Sequence, residues 1–364
     1  MSNVKDKKGV LVVGTGTIGE PLIGMLARLK EKLDLGDVYF HKRTPLLDEI
    51  PKVKSLLGQG AKLIVDENRK DDFQSIDLEV AGTFSKTIES CKVVIDCTPA
   101  GLQNKEAFYQ NISPGALFVA QGSEKGFGTP YGFLLNDSAV NELDNNDTNY
   151  VQVVSCNTHA ISRLCKALSE NGGYERFVSG DFVCIRRAND ASQDNGFVPS
   201  PTAGSHGDAE FGTHHARDVH DLLTTVHGDI FKNVKSSAMK TNSQYMHTIR
   251  FNIEVSGIMT KQDVIEKFTV DKMVALTRHK SANRIFSFGR DHGFYGRIYN
   301  QVVVSVPSIT VFHAGENTHV VGFAFTPQDG NSLVSSAALA VAGVHGFNEL
   351  PNFAAFNDMF HNEI

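Results

Sequence analysis

The stretch LVVGTGTIG, from Leu11 to Gly19, decides the fold of this chain. It begins as an apolar run typical of a buried strand and then enters the pattern Gly-x-Gly-x-x-Gly at Gly14, Gly16 and Gly19. Glycines at this spacing allow a tight turn, the close approach of a pyrophosphate, and close packing of the following helix on the strand. The pattern therefore predicts a dinucleotide site, and its alternative is a glycine-rich turn that holds no ligand.

The rest of the first half alternates between short apolar strands and helical segments. The segment Ile18–Leu29 has the apolar spacing of a helix. Further strands are predicted at Asp37–Phe40, Lys62–Asp66, Lys92–Pro99 with a turn at its carboxyl end, and Ala116–Ala120. This alternation is typical of a parallel, doubly wound sheet of the Rossmann type.

From about Cys156 onward the pattern changes to strands that alternate as half-buried antiparallel strands do. These strands are predicted at Phe182–Arg187, Tyr245–Val255, Gln301–Val306, Ile309–Phe312 and Val320–Phe325. The segment 189–217 is rich in Asn, Asp, Ser, Gly and Pro and is predicted to be a loop, whereas Ser335–Val344 is alanine-rich and helical. The second half is therefore expected to differ in architecture from the first.

The fold class that follows is α/β. We predict a doubly wound dinucleotide-binding domain over residues 1–155 and an α+β catalytic domain with a mainly antiparallel sheet over residues 156–332. Residues 333–364 are predicted as a C-terminal helix that returns to the nucleotide domain. A chain of 364 residues is long for one hydrophobic core, which agrees with two domains.

Composition excludes several classes of protein. A net charge of −6 without a basic block argues against a nucleic-acid partner. No apolar run reaches the length of a membrane span, and the polar start Met1–Lys8 is unlike a signal peptide. The five cysteines form no Cys-x-x-Cys spacing and their number is odd, so we expect no disulfide framework, no metal site and a reducing, cytoplasmic location.

The end of the second predicted strand bears on the choice of cofactor. Sites that prefer NAD place an acidic residue about 20 positions after the glycines, where it bonds the ribose 2′-hydroxyl. The segment Tyr39–Arg43 contains no carboxylate and instead carries Lys42 and Arg43, which would attract a 2′-phosphate. We therefore expect NADP to be accepted at least as well as NAD, unless these residues are only a solvated strand end.

Cys156 is a candidate nucleophile because it lies between a predicted strand and the helical stretch Ile161–Leu168. A helix N-terminus and a nearby imidazole would both favour the thiolate. The alternative is a small buried cysteine that only fills space. The general base would be a histidine, and spacing alone does not choose among His159, His206, His214, His215, His220, His227 and His247.

Further segments follow one another in a specific order. They are the turn Gly14–Gly19, Lys42–Pro45, Asp96–Pro99 with Gly101 and Asn104-Lys105, Gln121-Gly122 with Glu124-Lys125, Val153–Thr158, Ile185–Ala188 with Asp190, His214-His215 with Asp218-Val219, Met246-His247, and Gln328. In this order they resemble the archaeal-type (type II) glyceraldehyde-3-phosphate dehydrogenases over most of the chain. The match is poor over Gly346–Ile364.

This resemblance implies a reaction and a role for each matching residue. It implies that glyceraldehyde 3-phosphate, inorganic phosphate and NAD or NADP are converted to 1,3-bisphosphoglycerate by a homotetramer, through a thioester on Cys156. His247 would be the catalytic histidine that takes the thiol or hemiacetal proton. Substrate contacts would come from Ser155, Asn157, His214 and His215. Cofactor contacts would come from Gly14, Gly16, Thr17, Ile18, Gly19, Lys42, Arg43, Gly122, Arg187 and Gln328.

The chain also departs from the family pattern. The departures are Val13–Gly16 for Asn-Gly-Tyr-Gly, His159-Ala160 for Thr-Gly, Ile249 for a second histidine, Ser123 for glycine, and Val334–Ser336 for Pro-Glu-Asn. They leave open a relative that acts on another phosphorylated or acidic aldehyde, or on an acyl phosphate in the reductive direction. A different class of protein, a non-catalytic nucleotide-binding redox sensor that uses Cys156, is the remaining alternative.

Overall fold

A computed structural model describes residues 9–112, 115–122, 124–144, 146–169, 174–190, 193, 196–327, 330–350 and 353–364. The chain divides into two compact units. The first contains Met1–Phe133, Asp137–Val153 and Leu333–Ala355. The second contains Leu134–Asn136, Val154–Ser332 and Phe356–Ile364.

The first unit is built on an eight-stranded parallel sheet with the order β4-β3-β2-β1-β5-β6-β8-β7. Its strands are β1 (Gly9–Val13), β2 (Val38–His41), β3 (Lys62–Val65), β4 (Gly82–Thr83), β5 (Cys91–Asp96), β6 (Leu117–Gln121), β7 (Thr129–Tyr131) and β8 (Asn149–Val153). Its first helices are α1 (Gly19–Leu29), α2 (Ile50–Gly58), α3 (Lys70–Ser75), α4 (Phe84–Ile88), α5 (Gly101–Ala107) and α6 (Asp137–Asn141). The chain reverses direction across the sheet after β4, so the carboxyl ends of β1 and β5 flank the switch point at which such sheets bind ligands.

The second unit is built on a mixed sheet with the order β10-β11-β9-β12-β16-β14-β13, and β15 pairs with β16. The strands are β9 (Phe177–Arg186), β10 (Thr202–Ala203), β11 (Val234–Lys240), β12 (His247–Ser256), β13 (Val274–Thr277), β14 (Val302–Ser305), β15 (Thr310–Ala314) and β16 (Asn317–Thr326). Its helices are α7 (Cys156–Ser169), α8 (His214–His227), α9 (Lys261–Val270) and α10 (Ala282–His292). The pairs β9–β11 and β13–β14 are parallel and the others are antiparallel.

Strand β12 shows how the sequence pattern produces the second core. Buried and half-buried residues alternate along its whole length. Ile249, Phe251, Ile253 and Val255 all lie on the buried face and belong to one apolar cluster with α7, because successive side chains of a strand point to opposite faces. The predicted fold class, a doubly wound domain and a second α+β domain with a mainly antiparallel sheet, is confirmed.

Helix α11 (Leu333–His345) belongs to the first unit and is buried over Leu333–Gly343. It packs on β5, β6 and α1, and a side chain at Gly343 would approach Val93 Cγ2 to 2.4 Å. A glycine is therefore needed where this helix meets the sheet.

The remaining helical turns are of the 3-10 type. They are Leu47–Glu49, Glu67–Arg69, Tyr109–Asn111, Tyr174–Arg176, Gly228–Asn233, Val306–Ser308, Phe347–Glu349 and Phe353–Met359. The predicted loop over 189–217 is wrong in two places. Thr202-Ala203 form β10, and the loop ends early because α8 begins at His214, where the Thr213 hydroxyl caps the helix by accepting a hydrogen bond from the His215 N–H. Within the described ranges, the helices are too short or too polar to cross a membrane.

Candidate active site

The turn between β1 and α1 has the geometry that a dinucleotide requires. Gly14 has a φ of +93°, in the left-handed region that favours glycine. A Cβ at Gly19 would lie 2.1 Å from the Gly14 carbonyl oxygen, whereas a Cβ at Gly16 would meet nothing within 4 Å. Two glycines are thus needed to form the turn, and the third leaves open space beside it. Thr17 and Ile18 lie half-buried between them.

A cavity of about 920 Å³ opens beside this turn, within the first unit. The segments that line it follow the carboxyl ends of β1, β2, β3 and β5, and include Gly14, Thr15, Lys42, Arg43, Asp66 and Thr98. Its volume is that of a small-molecule site, on the order of 300–1,000 Å³. The predicted residues Gly14, Lys42 and Arg43 are therefore brought together around one cavity, and they fit the phosphates and ribose of a dinucleotide.

The Asp-Cys-Thr-Pro segment at the end of β5 is held by a buried carboxylate. Asp96 accepts hydrogen bonds from the Thr98 N–H (2.8 Å), the Thr98 hydroxyl (2.6 Å), Asn104 Nδ2 (2.7 Å) and the Tyr109 hydroxyl (2.6 Å). A buried charge needs such partners to be tolerated. The network fixes the loop that forms one wall of the cavity.

Lys42 has a partner that the segment Tyr39–Arg43 does not reveal. Its side chain is only 6% exposed and its ammonium bonds to Glu49, which also accepts a bond from Lys52. Lys52 in turn donates to the carbonyl oxygen of Thr15 in the glycine turn, at 3.2 Å. Arg43 is exposed. Glu49 and Lys52 are site residues that sequence reasoning missed, because no motif singles out an acid or a lysine after a proline-containing turn.

Cys156 is the first residue of α7 and is half-buried. The hydroxyl of Ser155 accepts a bond from the Thr158 N–H at 3.2 Å and shares a second bond with the Thr158 hydroxyl at 2.8 Å, as a helix N-cap does. Asn331 donates to the Cys156 carbonyl oxygen at 2.9 Å. The positive end of the helix dipole, at the first helical turn, favours a thiolate at this position.

His159, three residues further on, lies inside the helix. It is completely buried, and its Nδ1 lies 3.0 Å from the carbonyl oxygen of Ser155. Burial lowers the pKa of the His159 imidazole to about 4. His159 is therefore a neutral group that bonds to the turn before Cys156.

His247 is the first residue of β12 and is 5% exposed. Its Nδ1 accepts a hydrogen bond from the backbone N–H of Arg187 at 3.0 Å. Burial first, and then the positive charges of Arg187, Arg186 and His215, hold the pKa of His247 well below its ordinary value. The ring is thus neutral near pH 7, and because Nδ1 accepts a hydrogen bond, its one hydrogen is on Nε2.

Strand pairing gathers these residues at one edge of the second sheet. His247 pairs with Thr326, whose hydroxyl donates to the side-chain oxygen of Asn157 at 3.3 Å. Asn157 directly follows Cys156 in α7. Cys156, His247 and Asn157 therefore lie at one edge of this sheet.

His214 and His215 open α8, with ring centroids 4.0 Å apart. His214 is exposed and His215 is buried. His215 contributes to the lowered pKa of the His247 imidazole, after the larger effects of burial and the two arginines. The N-terminus of α8, where these two histidines lie, favours an anion.

The other predicted cofactor residues are placed as follows. Gly122 directly follows β6, has a φ of +61° and donates its N–H to the Val153 carbonyl oxygen at 2.8 Å. Arg187 is buried in the second unit, where its guanidinium donates to the Tyr245 carbonyl oxygen (3.0 Å) and to Asp190 (3.1 Å). Gln328 lies outside the described residues.

A metal site is not expected from the sequence, and none of the described residues form a group of three or more His, Cys, Asp or Glu side chains that could hold an ion. The described residues of this site offer a thiol, imidazoles, amides and helix N-termini.

Comparison with known proteins gives several curated relatives, although no protein-family model matches the chain. A glyceraldehyde-3-phosphate dehydrogenase of Thermococcus kodakarensis is 30% identical over 250 residues, which are 66% of this chain and 67% of the relative. The enzyme of the same name from Methanopyrus kandleri is 28% identical over 318 residues, 83% of each chain. That of Pyrobaculum islandicum is 27% identical over 311 residues, 82% of this chain and 83% of the relative.

Proposed function

The chain belongs to the archaeal-type glyceraldehyde-3-phosphate dehydrogenase family as a divergent member, and we propose that it is a phosphorylating dehydrogenase of glyceraldehyde 3-phosphate. It is thus an oxidoreductase with a nicotinamide dinucleotide as cofactor. The observation that carries the specific reaction is the position of Cys156 on the first turn of α7, with His247 and Asn157 at the same sheet edge.

Cys156 performs the first covalent step. Its thiolate attacks the aldehyde carbon, a C–S bond forms, and the carbonyl oxygen becomes an oxyanion. The Nε2–H of His247 donates a hydrogen bond to this oxygen, and the amide of Asn157 lies beside the nucleophile to orient the substrate. His247 therefore acts as a donor in this proposal, and not as the proton acceptor that the family resemblance implies, because the Arg187 N–H occupies Nδ1.

A nicotinamide dinucleotide would supply the acceptor for the hydride that leaves the hemiacetal carbon. The residues that would hold the dinucleotide in the first unit are those of the glycine turn, with Lys42, Arg43 and Gly122. Cys156 then carries the acyl group as a thioester. An oxygen of inorganic phosphate attacks the thioester carbon, the C–S bond breaks, and Cys156 leaves as the thiolate with which the cycle began.

The start of α8 is the element that we propose binds a phosphate group of the substrates. His214 and His215 at the start of α8 would bind one phosphate together with the backbone N–H groups of that helix. Ser155, which the resemblance places in contact with substrate, already uses its hydroxyl to cap α7. Its contribution to catalysis is then to hold the first turn, with Cys156, in place.

A steady-state assay tests this proposal. Reduced cofactor should form from glyceraldehyde 3-phosphate only when inorganic phosphate is present, with NAD, NADP or both. Turnover with a different phosphorylated or acidic aldehyde, and none with this one, would transfer the mechanism to another substrate. Binding of cofactor without turnover on any aldehyde would instead favour a redox sensor.

We also propose, from the family, a homotetramer in the cytoplasm. Sedimentation velocity of the purified chain tests the assembly, and a monomer at micromolar concentration would contradict it.

A further inference from the structure

A chain of charged groups connects the end of β2 to the glycine turn. Lys42 follows β2 and bonds to Glu49, which lies in the 3-10 turn before α2. Glu49 also bonds to Lys52, in the first turn of α2, and Lys52 bonds to the Thr15 carbonyl oxygen. One carboxylate thus holds two ammonium groups beside the cavity.

Lys42 is the group best placed to meet a 2′-phosphate. It lines the cavity together with Gly14 and Arg43, and it stands where dinucleotide sites carry the residue that reads the 2′-position. Its side chain is nearly buried, with an exposed fraction of 6%, so water screens it little. A second anion at Lys42 would therefore be repelled strongly by the charge of Glu49.

Glu49 is ionised at neutral pH. Burial raises the pKa of its carboxyl, but hydrogen bonds and charges from Lys42 and Lys52 outweigh burial and place this pKa below its usual value. The other titratable groups on this side of the cavity are Arg43, the pair of His41 and Asp66 at 2.9 Å, and Glu67.

We propose that Glu49 determines the choice between NAD and NADP. Its carboxylate occupies Lys42, so a 2′-phosphate has to displace an internal anion that a 2′-hydroxyl leaves undisturbed. From the sequence alone, Lys42 and Arg43 are expected to favour NADP. Glu49 opposes this preference. This inference rests on the proposed function, since it assumes a nicotinamide dinucleotide in this cavity.

Calorimetric titration of the full chain with NAD and NADP tests it. Glu49→Gln keeps the size of the side chain and one of its two acceptor oxygens but removes its charge. NADP should then bind about ten- to a hundredfold more tightly than to the wild type, the range of one charge-assisted contact, while NAD binding changes by less than about threefold. The gain should shrink in high salt. Asp48→Asn, at the exposed neighbouring acid, is the matched control and should leave both affinities unchanged.

Two further variants test whether Glu49 acts through the ammonium of Lys42. In Lys42→Ala/Glu49→Gln the gain for NADP should disappear, because the ammonium that Glu49 released is gone. Glu49→Asp, which withdraws the carboxylate by one methylene, should move the NADP-to-NAD ratio in the same direction by a smaller factor. It also serves if Glu49→Gln does not fold. The adenine-side probes 2′,5′-ADP and 5′-AMP should reproduce the difference.

The outcomes distinguish this inference from the proposed function. If both cofactors bind the wild type and their ratio is the same in Glu49→Gln, Glu49 has no part in the choice, while the proposed function stands. If the folded wild type binds neither cofactor, both the proposed function and this inference are overturned.

Discussion

At the scale of single residues, the five cysteines differ in what surrounds them. Cys91, Cys165 and Cys184 are buried in apolar clusters, and burial raises the pKa of the Cys97 thiol far above its usual value. Cys156 is half-buried at the first turn of a fourteen-residue helix. The environment that activates a thiol is therefore found at Cys156.

We expect Cys156→Ser to abolish dehydrogenase turnover and to leave cofactor binding intact, because an alcohol at this position is not ionised near pH 7. Turnover in the steady-state assay and calorimetric titration of cofactor measure the two effects. Cys91→Ala, Cys97→Ala, Cys165→Ala and Cys184→Ala are the controls and should retain activity when folded. A Cys156→Ser variant with turnover near that of the wild type would contradict the assignment.

We expect His247→Asn to lower turnover by about a hundred- to ten-thousandfold, the usual effect of losing a group that assists proton or oxyanion chemistry, with little change in cofactor affinity. A neutral donor is active throughout the range above its lowered pKa. The rate of Cys156 alkylation should therefore show no inflection near pH 6.5 that depends on His247.

His159→Thr is the comparison for that experiment. His159 is buried and bonded to Ser155, so a folded variant should keep most of its activity. If His159→Thr loses the rate and His247→Asn keeps it, the catalytic histidine is His159 and the mechanism differs from the one proposed.

At the scale of elements, the β1–α1 turn depends on backbone that leaves no room for a side chain. We expect Gly19→Ala to weaken both cofactors by more than tenfold and to destabilise the fold, because a Cβ would lie 2.1 Å from the Gly14 carbonyl oxygen. Calorimetric titration and thermal unfolding measure the two effects. Gly58→Ala, at the end of α2, is the control.

A Cβ at Gly58 meets nothing within 4 Å, so alanine there should be neutral or slightly stabilising. Equal effects of the two substitutions would show that the tight turn at Gly19 has no special role in cofactor binding.

Helix α8 shows where local sequence misleads. The segment before it is rich in turn-forming residues, and its predicted loop extends past His214-His215. The helix begins there because Thr213 caps it and because Ala216, Val219, Leu222 and Leu223 bury an apolar face. A Thr cap followed by apolar residues at helical spacing was the available signal.

At the scale of the whole molecule, buried histidines couple the fold to pH. His159 and His247 both have a lowered pKa in the folded chain, from an ordinary value of 6.5. Below that value the unfolded chain binds protons that the folded chain excludes. The free energy of unfolding should therefore be independent of these groups above about pH 6.5 and fall on acidification by about 1.4 kcal/mol per pH unit for each histidine.

Urea unfolding between pH 7.5 and pH 5 measures this dependence. The half-buried His41, His227 and His361, whose pKa is also lowered, contribute with the same sign. His159→Gln should reduce the slope relative to the wild type. A stability that stays constant, or rises, from pH 7 to pH 5 would contradict the prediction.

Much of this protein could be read from local patterns in its sequence. The glycine turn, the alternation of strands and helices in the first half, and the period-two burial of β12 depend on neighbouring residues, and each was predicted. Cys156 and His247 were chosen through an ordered set of short motifs, because nothing in the sequence spacing shows that residues 91 positions apart come together.

Contacts between segments that are distant in the sequence were decided only by the tertiary structure. Backbone pairing of β9 with β12 brings the Arg187 N–H to His247 Nδ1, which selects the tautomer, and β16 brings Thr326 to Asn157. The sequence alone shows no acidic partner for Lys42. The turn before α2 places the carboxylate of Glu49 in contact with its ammonium. The sequence determines which charge a side chain can carry, whereas its hydrogen-bond partner and its exposure to water depend on how the chain packs.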